Sequence, residues 1–117
     1  MPLRVVLIDD DRRFRATARR ALEAEGVEVV AELASGKQAL ATVQRCYPDV
    51  VLVDVRMPWI DGVEVARRLQ GKVGTTVVIL MSTLGLDHGR LLAEGVAAGY
   101  IPKDELSLAV ITELLAR

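Results

Sequence analysis

An α/β fold, doubly wound around a five-stranded parallel sheet in the order 2-1-3-4-5, is what this sequence predicts. Three observations carry the prediction. Short runs of apolar residues lack the alternation of a one-sided strand. Stretches with helical periodicity separate them, one after each run. Aspartates gather where two of the runs end.

Residues 3–8 (LRVVLI), 50–53 (VVLV) and 76–81 (TVVILM) are runs of the kind buried on both faces of a parallel sheet. After the first, Phe14, Ala18, Ala21 and Leu22 recur at helical spacing while Arg12, Arg15, Arg19 and Glu23 take the other face. Asp11 is the expected N-cap of this helix, and Gly26 stops it. Residues 27–33 read as a more polar strand at a sheet edge. Ser35-Gly36 opens a second helix through Ala39, Leu40 and Val43, which ends before Pro48. A third helix covers about residues 62–69, with Val63, Val65, Ala66 and Leu69 inward, and Gly71 and Gly74 mark the turn into the fourth strand. A weakly patterned stretch follows. Residues 98–101 are a short fifth strand, and Asp104 is expected to cap a last helix through Leu106, Val110, Ile111 and Leu114. Five strands alternating with five helices imply right-handed crossovers.

The 117 residues suit one domain spanning 1–117, with no room for a second; 51% are hydrophobic, enough for one core. A net charge of -1 disfavours direct nucleic-acid binding. The five arginines between Arg12 and Arg20 fall largely on the exposed side of an amphipathic helix, as a solvated face and then as a surface on which another protein could dock. Apolar runs of about six residues are far short of the roughly 20 that span a bilayer, and no charged-then-apolar leader opens the chain. A cytoplasmic location is expected. Cys46, the one cysteine, reads as filler near a helix end, and His88, the one histidine, as neither ligand nor base.

In open α/β sheets, ligands bind beyond the carboxyl ends of the strands, where the strand order reverses. Asp9-Asp10-Asp11 ends the first strand and Asp54 the third, and the flavodoxin-like order makes these strands neighbours. Asp9, Asp10 and Asp54 therefore converge. Three carboxylates in one small volume repel, and a hard divalent ion with oxygen ligands, Mg²⁺, is the natural relief. Ser82-Thr83 ends the fourth strand and Lys103 follows the fifth. A hydroxyl and an ammonium there can face a phosphoryl oxygen held near Asp54.

With VVLIDDD, ELASGKQAL, PDVVLVDVRMPWIDG, VVILMST and GYIPKD in place, residues 3–115 resemble the response-regulator receiver domain, the chemotaxis-type α/β fold. The resemblance implies a two-component phosphoacceptor domain that catalyses only its own phosphorylation and dephosphorylation. It makes Asp54 the phosphoacceptor, with Asp10 and Asp54 as direct Mg²⁺ ligands, Asp9 acting chiefly through water, and the Arg56 carbonyl as a further ligand. Ser82 is then the switch hydroxyl, Tyr100 the switch aromatic and Lys103 the phosphoryl contact. A histidine kinase or phosphotransfer protein is the implied donor. The pattern GYIPKD resembles the subgroup attached to a helix-turn-helix DNA-binding domain, so an attached or separate DNA-binding output is expected. A phosphorylation-dependent homodimer is expected too, through a face around the fourth helix whose apolar candidates are Leu84, Leu86, Leu91 and Leu92. The sequence departs from the family at Trp59 and Thr83, which are bulky, at Pro102, and between Ser82 and Lys103, where it is about one residue short.

Other readings are weaker. Ser35-Gly36-Lys37 resembles the tail of a phosphate loop, but Ala31 and Gln38 stand where a glycine and a hydroxyl are needed. A hydrolase using Asp54 as nucleophile lacks a general acid or base beside it. A receiver that signals by binding alone, without phosphate, is the remaining alternative.

Overall fold

The structure is a computed structural model that describes residues 1–83 and 95–117. Five parallel strands, β1 (Arg4–Ile8), β2 (Glu28–Leu33), β3 (Val50–Asp54), β4 (Val77–Ser82) and β5 (Gly99–Pro102), form one sheet in the order β2-β1-β3-β4-β5. The expected fold class and strand order are those observed. The described α-helices are α1 (Arg12–Ala24), α2 (Ala39–Cys46), α3 (Gly62–Leu69) and α4 (Leu108–Leu115). The fourth helix expected from the sequence, with Leu84, Leu86, His88, Leu91 and Leu92, lies outside the described residues, so α4 here corresponds to the expected last helix.

β1 and β3 are central, and Val5 to Ile8 and Val50 to Val53 have no exposed surface. Side chains alternate across the sheet. Val6, Ile8, Val51 and Val53 meet α2 and α3 on one face, through Ala39, Val43, Val65, Ala66 and Leu69. Val5, Leu7, Val50 and Leu52 meet α1 and α4 on the other, through Ala18, Leu22 and Ile111. Runs without polar alternation are what two such cores require. Ala21, expected to face inward, is exposed; Ala18 and Leu22 carry that face of α1.

Local chemistry sets the helix ends. Asp11 caps α1 by accepting from the Arg13 and Phe14 amides at 3.0 and 3.2 Å. Ser35 caps a 3₁₀ turn (Gly36–Gln38) that leads into α2. Tyr47 closes α2 with φ 51°, and the adjoining Pro48 cannot continue a helix. The last helix begins later than expected. Asp104 lies in a 3₁₀ turn (Lys103–Glu105), and Ser107 is the cap, accepting from Val110 N at 3.2 Å. After Pro102 the chain turns tightly and runs extended at Leu106 before it can enter a helix, so Asp104 has no helix to cap.

Candidate functional site

The carboxyl ends of β1, β3, β4 and β5 form one rim, and the candidate residues stand on it. Asp54 is the last residue of β3 and Ser82 the last of β4, each one position beyond the run read from the sequence; Val55 N continues the ladder to Met81 O at 2.8 Å. Ser82 is buried and in register with Pro102, whose neighbour is Lys103. Tyr100, half-buried on β5 opposite Leu80, packs against the core beneath α2 and α3.

Asp9, Asp10 and Asp54 each bring a carboxylate oxygen within 4.8 Å of the others. Asp9 and Asp54 are buried while Asp10 is open to solvent. Lys103 Nζ lies 2.6 Å from Asp9 Oδ2 and 3.2 Å from Asp54 Oδ2, with its side chain only 10% exposed. Three carboxylates thus face one ammonium. The Asp9 contact is an ion pair without hydrogen-bond alignment, so Oδ2 of this fully buried carboxylate has no hydrogen-bond donor among the described residues. Asp9 Oδ1 accepts from Asp11 N at 2.9 Å. Asp54 Oδ1 accepts from Arg56 N at 3.2 Å, which fixes the plane of the carboxylate; the Arg56 side chain points to solvent.

Burial and then the charge of Asp9 push the Asp54 carboxyl above its ordinary range, outweighing Lys103 and the Arg56 amide. Burial alone would lower Lys103, but Asp9 and Asp54 together raise it. The site is therefore short of positive charge. An all-oxygen donor set and an excess of carboxylates over the one ammonium fit a hard divalent cation such as Mg²⁺.

Several supports were not read from the sequence. Arg15 Nη1 donates to the Asp9 carbonyl at 2.5 Å, and its Nε meets Glu32 on β2 at 3.3 Å. The Phe14 ring lies 4.5 Å from Lys103 Nζ, a cation–π contact that closes the ammonium's apolar side. Periodicity assigns Phe14 to the core and Arg15 to solvent, and it cannot reveal what a helix leans over. Gly62, the first residue of α3, packs so closely on β3 that a Cβ there would stand 2.1 Å from the Asp54 carbonyl oxygen. Its position after Asp61, which caps α3 through Glu64 N at 2.8 Å, was the available signal. Trp59 is 84% exposed with φ 72°.

Comparison with known proteins bears on the family and the fold. The family model described as response regulator receiver domain matches residues 5–115. A response regulator MprA from Mycolicibacterium vanbaalenii is 40% identical over the whole of this chain and 49% of its own length. A protein-glutamate methylesterase/protein-glutamine glutaminase from Nitrobacter winogradskyi is 37% identical over 89% of this chain and 25% of its own length. The chain thus spans half or less of these relatives. Among solved structures, the receiver domain of NarL from Mycobacterium tuberculosis superposes with a TM-score of 0.85 at 34% identity, covering 99% of this chain and 98% of that one. The chemotaxis protein CheY4 of Vibrio cholerae gives 0.80 at 27% identity, over 100% and 98%.

Proposed function

Because the chain belongs to the response regulator receiver family of two-component systems, we propose that Asp54 accepts a phosphoryl group from a phosphohistidine on a histidine kinase or phosphotransfer protein. The observation that carries this is the convergence of Asp9, Asp10 and Asp54 beside Lys103 on one rim of strand ends. Asp54 Oδ attacks phosphorus in line, the P–N bond breaks toward the imidazole, and an acyl phosphate forms. Arg56 N–H holds one oxygen of Asp54, leaving the other to react. Lys103 swings from the carboxylates to a phosphoryl oxygen, and the Ser82 hydroxyl donates to another. Asp10, Asp54 and the Arg56 carbonyl would hold Mg²⁺, with Asp9 acting chiefly through water. When bound, the ion offsets charge on the transferring group.

The domain changes no other substrate; it catalyses its own phosphorylation and dephosphorylation. Movement of Ser82 leaves room for Tyr100 to turn further inward, which reshapes the face that the expected fourth helix shares with β5 and α4 and promotes a homodimer. Output runs to an attached or separate DNA-binding domain in the cytoplasm. The GYIPKD sequence and the likeness to a LuxR-family regulator from Aurantimonas, with a TM-score of 0.87 at 28% identity over 100% of this chain and 88% of that one, support this output. Among the described residues no helix is long and apolar enough to cross a membrane.

Acetyl phosphate with Mg²⁺ adds one phosphoryl group to the wild type and none to Asp54→Asn, read by intact mass. Equal labelling of both, or of neither, overturns the assignment.

A further inference from the structure

We infer that the cleft between α2 and α3, with Trp59 at its mouth, docks an acidic amphipathic segment of a partner protein. Trp59 combines two features that weigh against the free chain. Its backbone sits in the left-handed region, which side chains with a Cβ rarely adopt, and its large apolar ring is left in water. A glycine would remove both. Local strain around an outward aromatic marks a place where function sets the residue, and tryptophan is among the side chains that dominate binding surfaces. Lys37 Nζ lies 5.0 Å from the centre of the Trp59 ring. Lys37 is also a wall of the cleft, so its side chain links the indole to the cleft.

The cleft encloses about 390 Å³, with Leu40 and Val65 in its floor and Lys37, Arg68 and Lys72 at its rim. Gly36 keeps its walls close. A Cβ at that position would stand 2.2 Å from Val65 Cγ2. Glu64 does not neutralise the rim, because its carboxylate is shared by Arg67 at 2.6 Å and Arg68 at 3.0 Å. Glu64 is thus shared with Arg67, which lies outside the cleft, so Arg68, Lys37 and Lys72 leave a positive rim on a chain whose total charge is -1. That rim complements an acidic partner. The aliphatic floor takes an apolar side chain set between its carboxylates, as when an amphipathic helix lies in a groove. A nucleic-acid strand suits the cleft less well. It needs a longer row of cations and more than one stacking platform, and the exposed Asp61 stands two residues from Trp59. The cleft is on the opposite face of the sheet from α1 and α4, so its occupant leaves the arginine-rich face of α1 open.

The probe is a synthetic peptide with leucines at helical spacing and glutamates elsewhere. Trp59, the chain's single tryptophan, reports binding by fluorescence, and amide shifts of Gly36, Leu40 and Val65 locate it. The expected result is saturable binding with those shifts, weakened at least about tenfold in Lys37→Glu/Lys72→Glu and, read by amide shifts, in Trp59→Gly. Circular dichroism checks that both variants remain folded. The inference is overturned if no saturable response appears, or if a peptide with serines for leucines binds equally well. It also fails if an oligothymidylate binds more tightly, or if the folded variants bind like wild type.

Discussion

The Lys103 ammonium stands closer to Asp9, at 2.6 Å, than to Asp54, at 3.2 Å. It is therefore held by both carboxylates, through an ion pair to Asp9 and a hydrogen bond to the proposed phosphoacceptor Asp54. Replacing it by glutamine leaves two buried carboxylates facing each other. Lys103→Gln loses about 2–4 kcal/mol of stability in EDTA, and Mg²⁺ restores part of this while binding more tightly than to wild type. Urea unfolding with and without the ion reads both. Because the folded state raises the lysine's pKa, its contribution is fully present below 10.5 and is lost only as pH rises through the higher folded value.

Asp54→Asn acts in the opposite direction. Burial and Asp9 raise the Asp54 pKa, so the folded chain holds that proton more tightly than the unfolded chain. Its stabilising contribution is complete below the unfolded value of 3.8 and is lost as pH climbs through the raised folded value. In EDTA near neutral pH, Asp54→Asn is more stable than wild type by on the order of 1 kcal/mol, and the gain shrinks on acidification. Paired denaturation curves from acid to neutral pH check the sign.

Gly62 and Gly36 respond differently to alanine. At Gly62 the new methyl meets the Asp54 backbone at 2.1 Å, and at Gly36 it meets the tip of the Val65 side chain at 2.2 Å. Gly62→Ala loses roughly 3 kcal/mol or more and shifts the Asp54 amide, with no side-chain substitution able to relieve it. Gly36→Ala loses about 1–3 kcal/mol, and Val65→Ala in the same chain recovers part of it. A double-mutant cycle separates the two cases.

Trp59→Gly raises stability by about 1 kcal/mol, because it relieves a left-handed backbone and buries nothing less than before. Thermal melts followed by circular dichroism test this. A destabilised variant would show that the indole has a packing role in the free chain.

Strands and acidic residues were legible because each leaves a local mark. Burial on both faces forces unbroken runs such as VVLV, and a sheet of known order turns Asp9 and Asp54, far apart in sequence, into neighbours. The start of α4 was misread because Asp104 and Ser107 are both good caps, and only the turn set by Pro102 decides between them. Phe14 over Lys103 and Arg15 on the Asp9 carbonyl depend on the rotation of α1 about its axis over the rim. No spacing rule encodes that angle. Trp59 stands out in the sequence by its size, but its positive φ has no signature in a residue type that seldom adopts it.

The order β2-β1-β3-β4-β5 leaves β2 and β5 as the open margins of the sheet, and neither invites another chain. β5 is four residues long and ends in Pro102, which has no amide hydrogen to offer. β2 carries Glu28 and Glu32, and Arg19 reaches both Glu32 and the Val29 carbonyl, occupying an acceptor that an incoming strand would use. Both margins are poor templates for strand addition, so copies of this chain that meet at high concentration are steered away from backbone pairing and toward their helical surfaces.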